Sequence, residues 1–144
     1  MGSDHRGFKL KEEIKNFLAK RGSDVEDFGC YNEDSVDYPE FGIKVVKEVK
    51  TGRFDRGILF CGSGIGMSIT ANKVQGIRAA LVWNKEMARM SYEHNKADIL
   101  CLPADFISLE EAKILVEIWL DTPFAGGRHK RRIDPVSYTH LTLP

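Results

Sequence analysis

One stretch carries the strongest structural signal of the sequence, and it reads Gly57-Ile58-Leu59-Phe60-Cys61-Gly62-Ser63-Gly64-Ile65-Gly66. Its first half is apolar without polar alternation, which is typical of a central parallel strand covered on both faces. Its second half places three glycines within five residues, and a helix to about residue 74 is predicted to follow. The stretch therefore predicts a strand, a glycine loop and a helix.

Further strands and helices are predicted on both sides of this stretch. Downstream, strands at 77–82 and 98–102 flank a helix that begins near Asn84, and Ser108 with Glu111 forms a capping box at the start of the last clear helix. Upstream, a helix over 7–21 and a short strand near 24–28 precede a second helix, which has Pro39 in its first turn.

Because strands alternate with helices, we predict a Rossmann-like, doubly wound α/β fold of three layers around a parallel sheet. Such sheets bind ligands beyond the carboxyl ends of their strands.

Composition excludes several classes of protein. The chain has 144 residues, with 21 basic and 21 acidic side chains, so it lacks the basic field of a nucleic-acid binder. No apolar run is long enough for a membrane span, and no signal-peptide pattern stands at the amino terminus. Three cysteines with neither CxxC spacing nor a histidine cluster indicate reduced thiols, no metal and a cytoplasmic location. We expect a single domain over 1–133.

Cys61 is the first candidate for chemistry, because it ends the predicted strand and begins the glycine loop. Backbone N–H groups of Gly62, Gly64 and Gly66, together with the helix dipole, could surround an anion and lower the pKa of the thiol. A buried structural cysteine beside a tight turn has the same pattern. The glycines match neither the full dinucleotide-binding fingerprint nor a P-loop.

Other candidates lie near helix ends. Asp4 and His5 precede the first helix, where Asp is commonly a cap, and His94 and Asn95 end the fourth helix, where His complements the helix dipole. The basic run 126–132 is either a solvated face or a phosphate clamp. We expect all these groups to meet at one edge of the sheet.

Several motifs in register over 2–133 strengthen this interpretation: GSDHRGF at 2–8, DYP at 37–39, CGSGIGM at 61–67, ANK at 71–73, GIRA at 76–79, EHN at 93–95 and GGRH at 126–129. Together they resemble the ribose-5-phosphate isomerase B and galactose-6-phosphate isomerase family. The resemblance implies isomerisation of D-ribose 5-phosphate and D-ribulose 5-phosphate through an enediolate, without metal or cofactor.

The resemblance also implies roles for individual residues. Cys61 would move the proton between C1 and C2, and Ser63 would donate to the developing oxyanion with the loop amides of Gly62, Gly64 and Gly66. Asp4 and His94 would assist opening of the furanose ring, and Asn95 would orient the substrate oxygens. His5, Arg128 and Arg132 would bind the phosphate. Tyr38 would lie near the site where two subunits meet, which implies a homodimer or a dimer of dimers. One branch of the family lacks this cysteine and has a Glu inside the glycine loop; the corresponding residue here is Met67, which cannot take a proton.

Two alternatives remain open at this point. The substrate could be a six-carbon sugar phosphate, such as allose or galactose 6-phosphate. The chain could also be a non-catalytic regulator that binds phosphate or nucleotides, because a fold does not fix a function.

The sequence departs from the family at both ends. Relatives have a strand before the GSDH motif, whereas only Met1 precedes it here, so we expect the first strand to be missing and the chain to be an unstable, shortened form of a longer isomerase. Residues 134–144 match nothing expected of the family and are interpreted as a non-native tail, in which His140 has no functional role.

Overall fold

The computed structural model describes residues 1–138, and it contains a four-stranded parallel sheet with helices on both faces. The strands are β1 (Gly2–Ser3), β2 (Gly57–Cys61), β3 (Ala79–Leu81) and β4 (Ile99–Pro103), in the spatial order β1-β2-β4-β3. The helices are α1 (Phe8–Lys20), α2 (Tyr38–Lys50), α3 (Ile65–Asn72), α4 (Lys85–Glu93), α5 (Leu109–Asp121) and α6 (Arg128–Tyr138). The predicted doubly wound α/β fold is confirmed.

Two apolar cores, one on each face of the sheet, hold the three layers together. Alternate residues of β2 point to opposite faces: Phe60 packs with α1, α4 and α5, and Leu59 packs with α2 and α3. Trp119 of α5 is fully buried in the first core, where its indole N–H donates to the Ala97 carbonyl at 2.8 Å. All five residues of β2 are buried, as expected of a strand covered on both faces.

The predicted start signals of two helices, α4 and α5, are confirmed. The Asn84 side chain accepts a hydrogen bond from the Met87 amide at the start of α4, and both bonds of the capping box are present between Ser108 and Glu111. Each satisfies an amide that has no partner within its helix. Helix α6 continues past residue 133, where the sequence predicts the end of the domain. The division into a domain over 1–133 and a tail remains a prediction. Residues 139–144, including His140, lie outside the described residues.

The first strand differs from the prediction. It is present, because Gly2 and Ser3 of the motif themselves pair in parallel with Leu59 and Phe60 of β2. Residues 24–28 do not form the predicted strand. They run beside β1 with isolated bonds, such as Phe28 N–H to the Met1 carbonyl at 2.9 Å, because a two-residue strand offers too few groups for a regular ladder.

A buried ion cluster connects α1 to the segment that follows it. The Lys11 side chain is fully buried, and its ammonium group donates to both oxygens of Asp27, at 2.7 and 2.6 Å, and to the Cys30 carbonyl at 2.8 Å. Burial alone would raise the pKa of Asp27, but hydrogen bonds from Lys11, Lys15 and the Gly29 amide outweigh it and lower the pKa to about 2.

The lowered pKa of Asp27 predicts acid sensitivity of the fold. Because the folded-state pKa is below that of the unfolded chain, this stabilisation is complete above about pH 4 and is lost as the pH falls through about 2. Denaturant unfolding between pH 5 and 2 should therefore show a smaller loss of stability with falling pH for Asp27→Asn than for the wild type. Asp121→Asn, in an exposed ion pair with Arg21, is the control and should retain the wild-type slope. Equal slopes for Asp27→Asn and the wild type would contradict the prediction.

Candidate active site

The carboxyl edge of the sheet carries Cys61, the last residue of β2. Its side chain is 4% exposed, and the backbone turns at once into the loop that opens α3. Gly64 is the N-cap of α3 with a φ of 76°, and a Cβ there would overlap the Leu81 side chain, so this position requires glycine. The tight loop directs backbone amides towards the sulfur.

The electrostatic environment of Cys61 differs from the prediction. Burial raises the pKa of the thiol, and the negative charge of Asp4 adds to that effect. The backbone N–H groups of Met67, Gly64 and Ser63 act in the opposite direction, but they do not overcome burial. The expected lowering of this pKa is therefore wrong, because the loop that supplies the amides also removes the thiol from water.

Asp4 is buried next to this thiol. Its carboxylate accepts a hydrogen bond from the Gly7 amide at 2.9 Å, and its own N–H donates to the Phe60 carbonyl at 3.2 Å. Gly7 is itself the N-cap of α1, which has no side-chain cap, so Asp4 closes the turn before the helix and does not cap the helix as expected. The same residue also lies close enough to Cys61 to raise the pKa of the thiol, so this structural bond and a role in the site are compatible.

Ser63, His5 and Tyr38 lie at the same carboxyl edge of the sheet. Ser63 Oγ accepts from the Ile65 amide at 3.2 Å, which leaves its O–H available to donate. His5 Nδ1 accepts from the Val36 amide at 3.2 Å, so Nε2 carries the proton of the neutral ring. A Cβ on Gly66 would lie 2.5 Å from Cζ of Tyr38, which shows that the tyrosine ring rests on this glycine.

The other predicted residues lie elsewhere. His94 is the C-cap of α4, Asn95 follows it, and Arg128 and Arg132 lie four residues apart on α6. The rings of His94 and His129 stack, with centroids 4.3 Å apart and planes inclined by 7°. Partial burial, followed by the charges of His94, Arg128 and Arg132, lowers the pKa of His129.

This second group is at the amino edge of the sheet. Arg78, which immediately precedes β3, donates from Nε to the Asn95 carbonyl at 2.8 Å, and its backbone N–H donates to Asp98, just before β4. Helix α4 begins beyond the carboxyl end of β3 and runs back along the sheet, so its last residue returns to the amino edge. A strand of five residues separates the edges by about 16 Å.

The prediction that all candidate groups meet at one edge is therefore wrong for a single chain. The carboxyl-edge group contains Asp4, His5, Tyr38, Cys61, Gly62, Ser63, Gly64 and Gly66. The amino-edge group contains His94, Asn95, Arg128 and Arg132. Each helix that follows a parallel strand reverses the direction of the chain, so residues after strands and residues after helices belong to opposite edges.

Sequence reasoning missed two contacts near these groups. Arg6 forms an ion pair with Asp105 across the loop, and a Cβ on Gly62 would lie 2.7 Å from Asp105 Oδ2. His129 belongs to the basic run 126–132, and its stacking on His94 has no local sequence signal, because the two residues belong to different helices. Within residues 1–138, no group of three or more His, Cys, Asp or Glu side chains could hold a metal ion, and no helix is long and apolar enough to cross a membrane.

Comparisons with known proteins identify the family of this chain. The family model described as Ribose/Galactose Isomerase matches residues 1–136. Ribose-5-phosphate isomerase B of Escherichia coli is 40% identical over 136 residues, which are 94% of this chain and 91% of that protein.

Two solved structures are similar along almost their whole length. Ribose-5-phosphate isomerase B of Clostridium thermocellum is 54% identical with a TM-score of 0.93, covering 94% of this chain and 92% of that one. The Mycoplasma genitalium enzyme with bound ribulose-5-phosphate is 40% identical with a TM-score of 0.90, covering 94% and 91%.

Proposed function

Because this chain belongs to the ribose/galactose isomerase family, we propose that it interconverts D-ribose 5-phosphate and D-ribulose 5-phosphate, with Cys61 as the base. The observation that carries the proposal is the position of the Cys61 thiol at the carboxyl end of β2, among loop amides and beside Asp4. A proton α to a carbonyl is only weakly acidic, so its transfer requires a positioned base and donors for the oxyanion.

The reaction proceeds through an enediolate. The Cys61 thiolate takes the proton from C2 of the open-chain aldose, the C–H electron pair forms the C1–C2 double bond, and negative charge develops on O1. The loop amides and the Ser63 O–H donate to that oxygen. A proton then passes from O2 to O1 while the thiol returns its proton to C1, which leaves the carbonyl at C2.

The remaining residues bind and open the substrate. Asp4 and His94 exchange the protons that open the furanose ring, and Asn95 orients the sugar oxygens. His5, Arg128 and Arg132 bind the phosphate, for which arginine has a suitable planar geometry. No cofactor is needed, because the substrate carbonyl itself stabilises the carbanion.

The separation of the two groups within one chain supports a site shared by two copies in a homodimer or dimer of dimers. Cys61 of one copy would face His94, Arg128 and Arg132 of another. An apolar surface next to the catalytic loop fits this arrangement, because Ile65 and Ile69 of α3 are 53% and 55% exposed, one turn apart. In a two-fold dimer each copy would complete the site of the other.

The cytoplasm is the proposed location. The three cysteines are free and buried. Reduced thiols of this kind persist in reducing compartments.

The direct test of function is an isomerase assay. Purified protein is mixed with D-ribose 5-phosphate, and ketose formation is followed, in parallel with allose 6-phosphate and galactose 6-phosphate. Faster turnover of ribose 5-phosphate than of either six-carbon sugar is expected. Preference for a six-carbon sugar would assign the alternative substrate, and absence of turnover together with tight nucleotide binding would assign the regulator.

Removing either arginine of α6 should weaken handling of the phosphate. A hydrogen bond to a charged group contributes about 1.5–3 kcal/mol, so kcat/KM for ribose 5-phosphate should fall about tenfold to a hundredfold in Arg128→Ala and in Arg132→Ala. Turnover of unphosphorylated ribose should change much less. Lys130→Ala, on the same helix with its ammonium 2.7 Å from Asp134, is the control. Equal losses on both sugars would show that neither arginine contacts the phosphate.

A further inference from the structure

Arg78, of the GIRA motif, connects β3 to the turn that follows α4. Its guanidinium donates from Nε to the Asn95 carbonyl at 2.8 Å and from Nη2 to the Lys96 carbonyl at 3.2 Å, and Nη1 bonds Ser137 of α6. Its backbone N–H donates to Asp98 at 3.0 Å. One half-buried arginine therefore binds consecutive carbonyls of a single turn.

The turn lies beyond the end of α4, whose last carbonyls already accept from backbone amides, Tyr92 from Lys96 and Ser91 from Ala97, both at 2.9 Å. The carbonyls of Asn95 and Lys96 remain for Arg78, and the negative end of the helix dipole favours a cation nearby. Lys96 has a φ of 45°, and no other non-glycine residue among 1–138 has a positive φ. That conformation costs about 1–2 kcal/mol for an L-residue and persists only where its surroundings hold it. The backbone bonds of Lys96 and Ala97 and the charge-assisted bonds of Arg78 together provide that restraint.

The restrained turn is the one that carries His94 and Asn95. We propose that Arg78 is a positioning residue for the isomerase, because it holds the backbone of Asn95 and Lys96. This restraint keeps the His94 ring stacked on His129. It also keeps the side chains of His94 and Asn95 facing the substrate in a fixed orientation. This inference rests on the proposed function. Arg78 does not contact the substrate; it acts through His94 and Asn95.

The test is a double-mutant cycle on kcat/KM for ribose 5-phosphate. Arg78→Met should lower kcat/KM about tenfold to a hundredfold, because a misplacement of about 1 Å costs up to about 100-fold. Arg78→Lys should also lose activity, because an ammonium lacks the planar fork that reaches two carbonyls. In a His94→Gln background, where the group being positioned is already absent, replacing Arg78 should cost much less than it does in the wild type.

Two controls separate positioning from general destabilisation. Arg53→Met removes an exposed arginine that bridges Glu26 and Glu48, and it should leave kcat/KM within about twofold of the wild type. In NMR spectra, the ring-current shift of the His94 protons due to stacking on His129 should decrease in Arg78→Met and remain in Arg53→Met. If Arg78→Met does not fold, Arg78→Lys carries the same cycle and spectra.

The outcomes are decisive in each direction. Non-additive losses together with an altered His94 signal support the proposal. Additive losses in the His94→Gln background, or an unchanged kcat/KM with an unchanged His94 signal, overturn it. An inactive wild type would instead contradict the proposed function, and the His94 signal would still show whether Arg78 positions the ring.

Discussion

Cys61→Ala is expected to lower kcat for ribose 5-phosphate by about 10²–10⁴-fold, the usual contribution of a positioned general base. The fold should change little, because the thiol lies at the end of β2 and the replacement removes one atom from the core. Initial rates measured on purified protein, with thermal unfolding as a check on the fold, give the comparison.

Cys101→Ala is the matched control for this prediction. Cys101 is buried in β4, in the same core cluster as Cys61, but it precedes the carboxyl end of its strand. Its replacement should reduce stability and leave kcat near the wild-type value. Retention of more than about a tenth of kcat by Cys61→Ala would exclude the thiol as the base.

The pH dependence of turnover follows from the same environment. Because burial and Asp4 raise the pKa of Cys61, the thiolate forms above the range usual for a free thiol. The kcat/KM of the free enzyme should therefore still be rising with pH above the range in which a free thiol titrates, and it should fall towards acid. A flat profile across that higher pH range would argue against a titrating thiol as the base.

Gly7→Ala is expected to have the largest effect on stability, more than about 4 kcal/mol or failure to fold. A Cβ at this position would lie 2.5 Å from both the carbonyl carbon and the carbonyl oxygen of Phe60. Neither atom can move without shifting β2, and the Gly7 amide would also leave the Asp4 carboxylate. Denaturant unfolding measures the difference.

Gly52→Ala is the control for this clash. Gly52 has a φ of 82°, and a Cβ added there would meet no atom of residues 1–138 within 4 Å, so its replacement carries only the backbone cost of about 1–2 kcal/mol. Loss of stability in Gly7→Ala no greater than in Gly52→Ala would show that α1 can move away from β2 at little cost.

The sequence was most informative where one local pattern decides the structure. The apolar run of β2 is buried along its length, and Asn84 and Ser108 cap their helices as predicted, because these signals depend on neighbours within a few residues. The glycine loop also follows from local sequence, since Gly64 has the left-handed backbone that favours glycine.

Features that depend on distant residues were not predictable in the same way. Lys11 carries a charge that is rarely buried without a partner, and only the fold brings Asp27 against it. The pKa of Cys61 depends on burial as well as on the loop, so the loop alone indicated the wrong direction. The separation of Cys61 from His94 depends on the direction of α4, which runs from the carboxyl edge of the sheet back to its amino edge.

The most direct test of the shared isomerase site is complementation between two inactive variants. Cys61→Ala and His94→Gln are co-expressed with different affinity tags, and the mixed oligomers are purified through both tags. A two-fold dimer with one copy of each would contain one intact site, combining Cys61 of one copy with His94 of the other, and should recover about half of the wild-type turnover of ribose 5-phosphate. Mixed oligomers no more active than either variant alone would contradict the account.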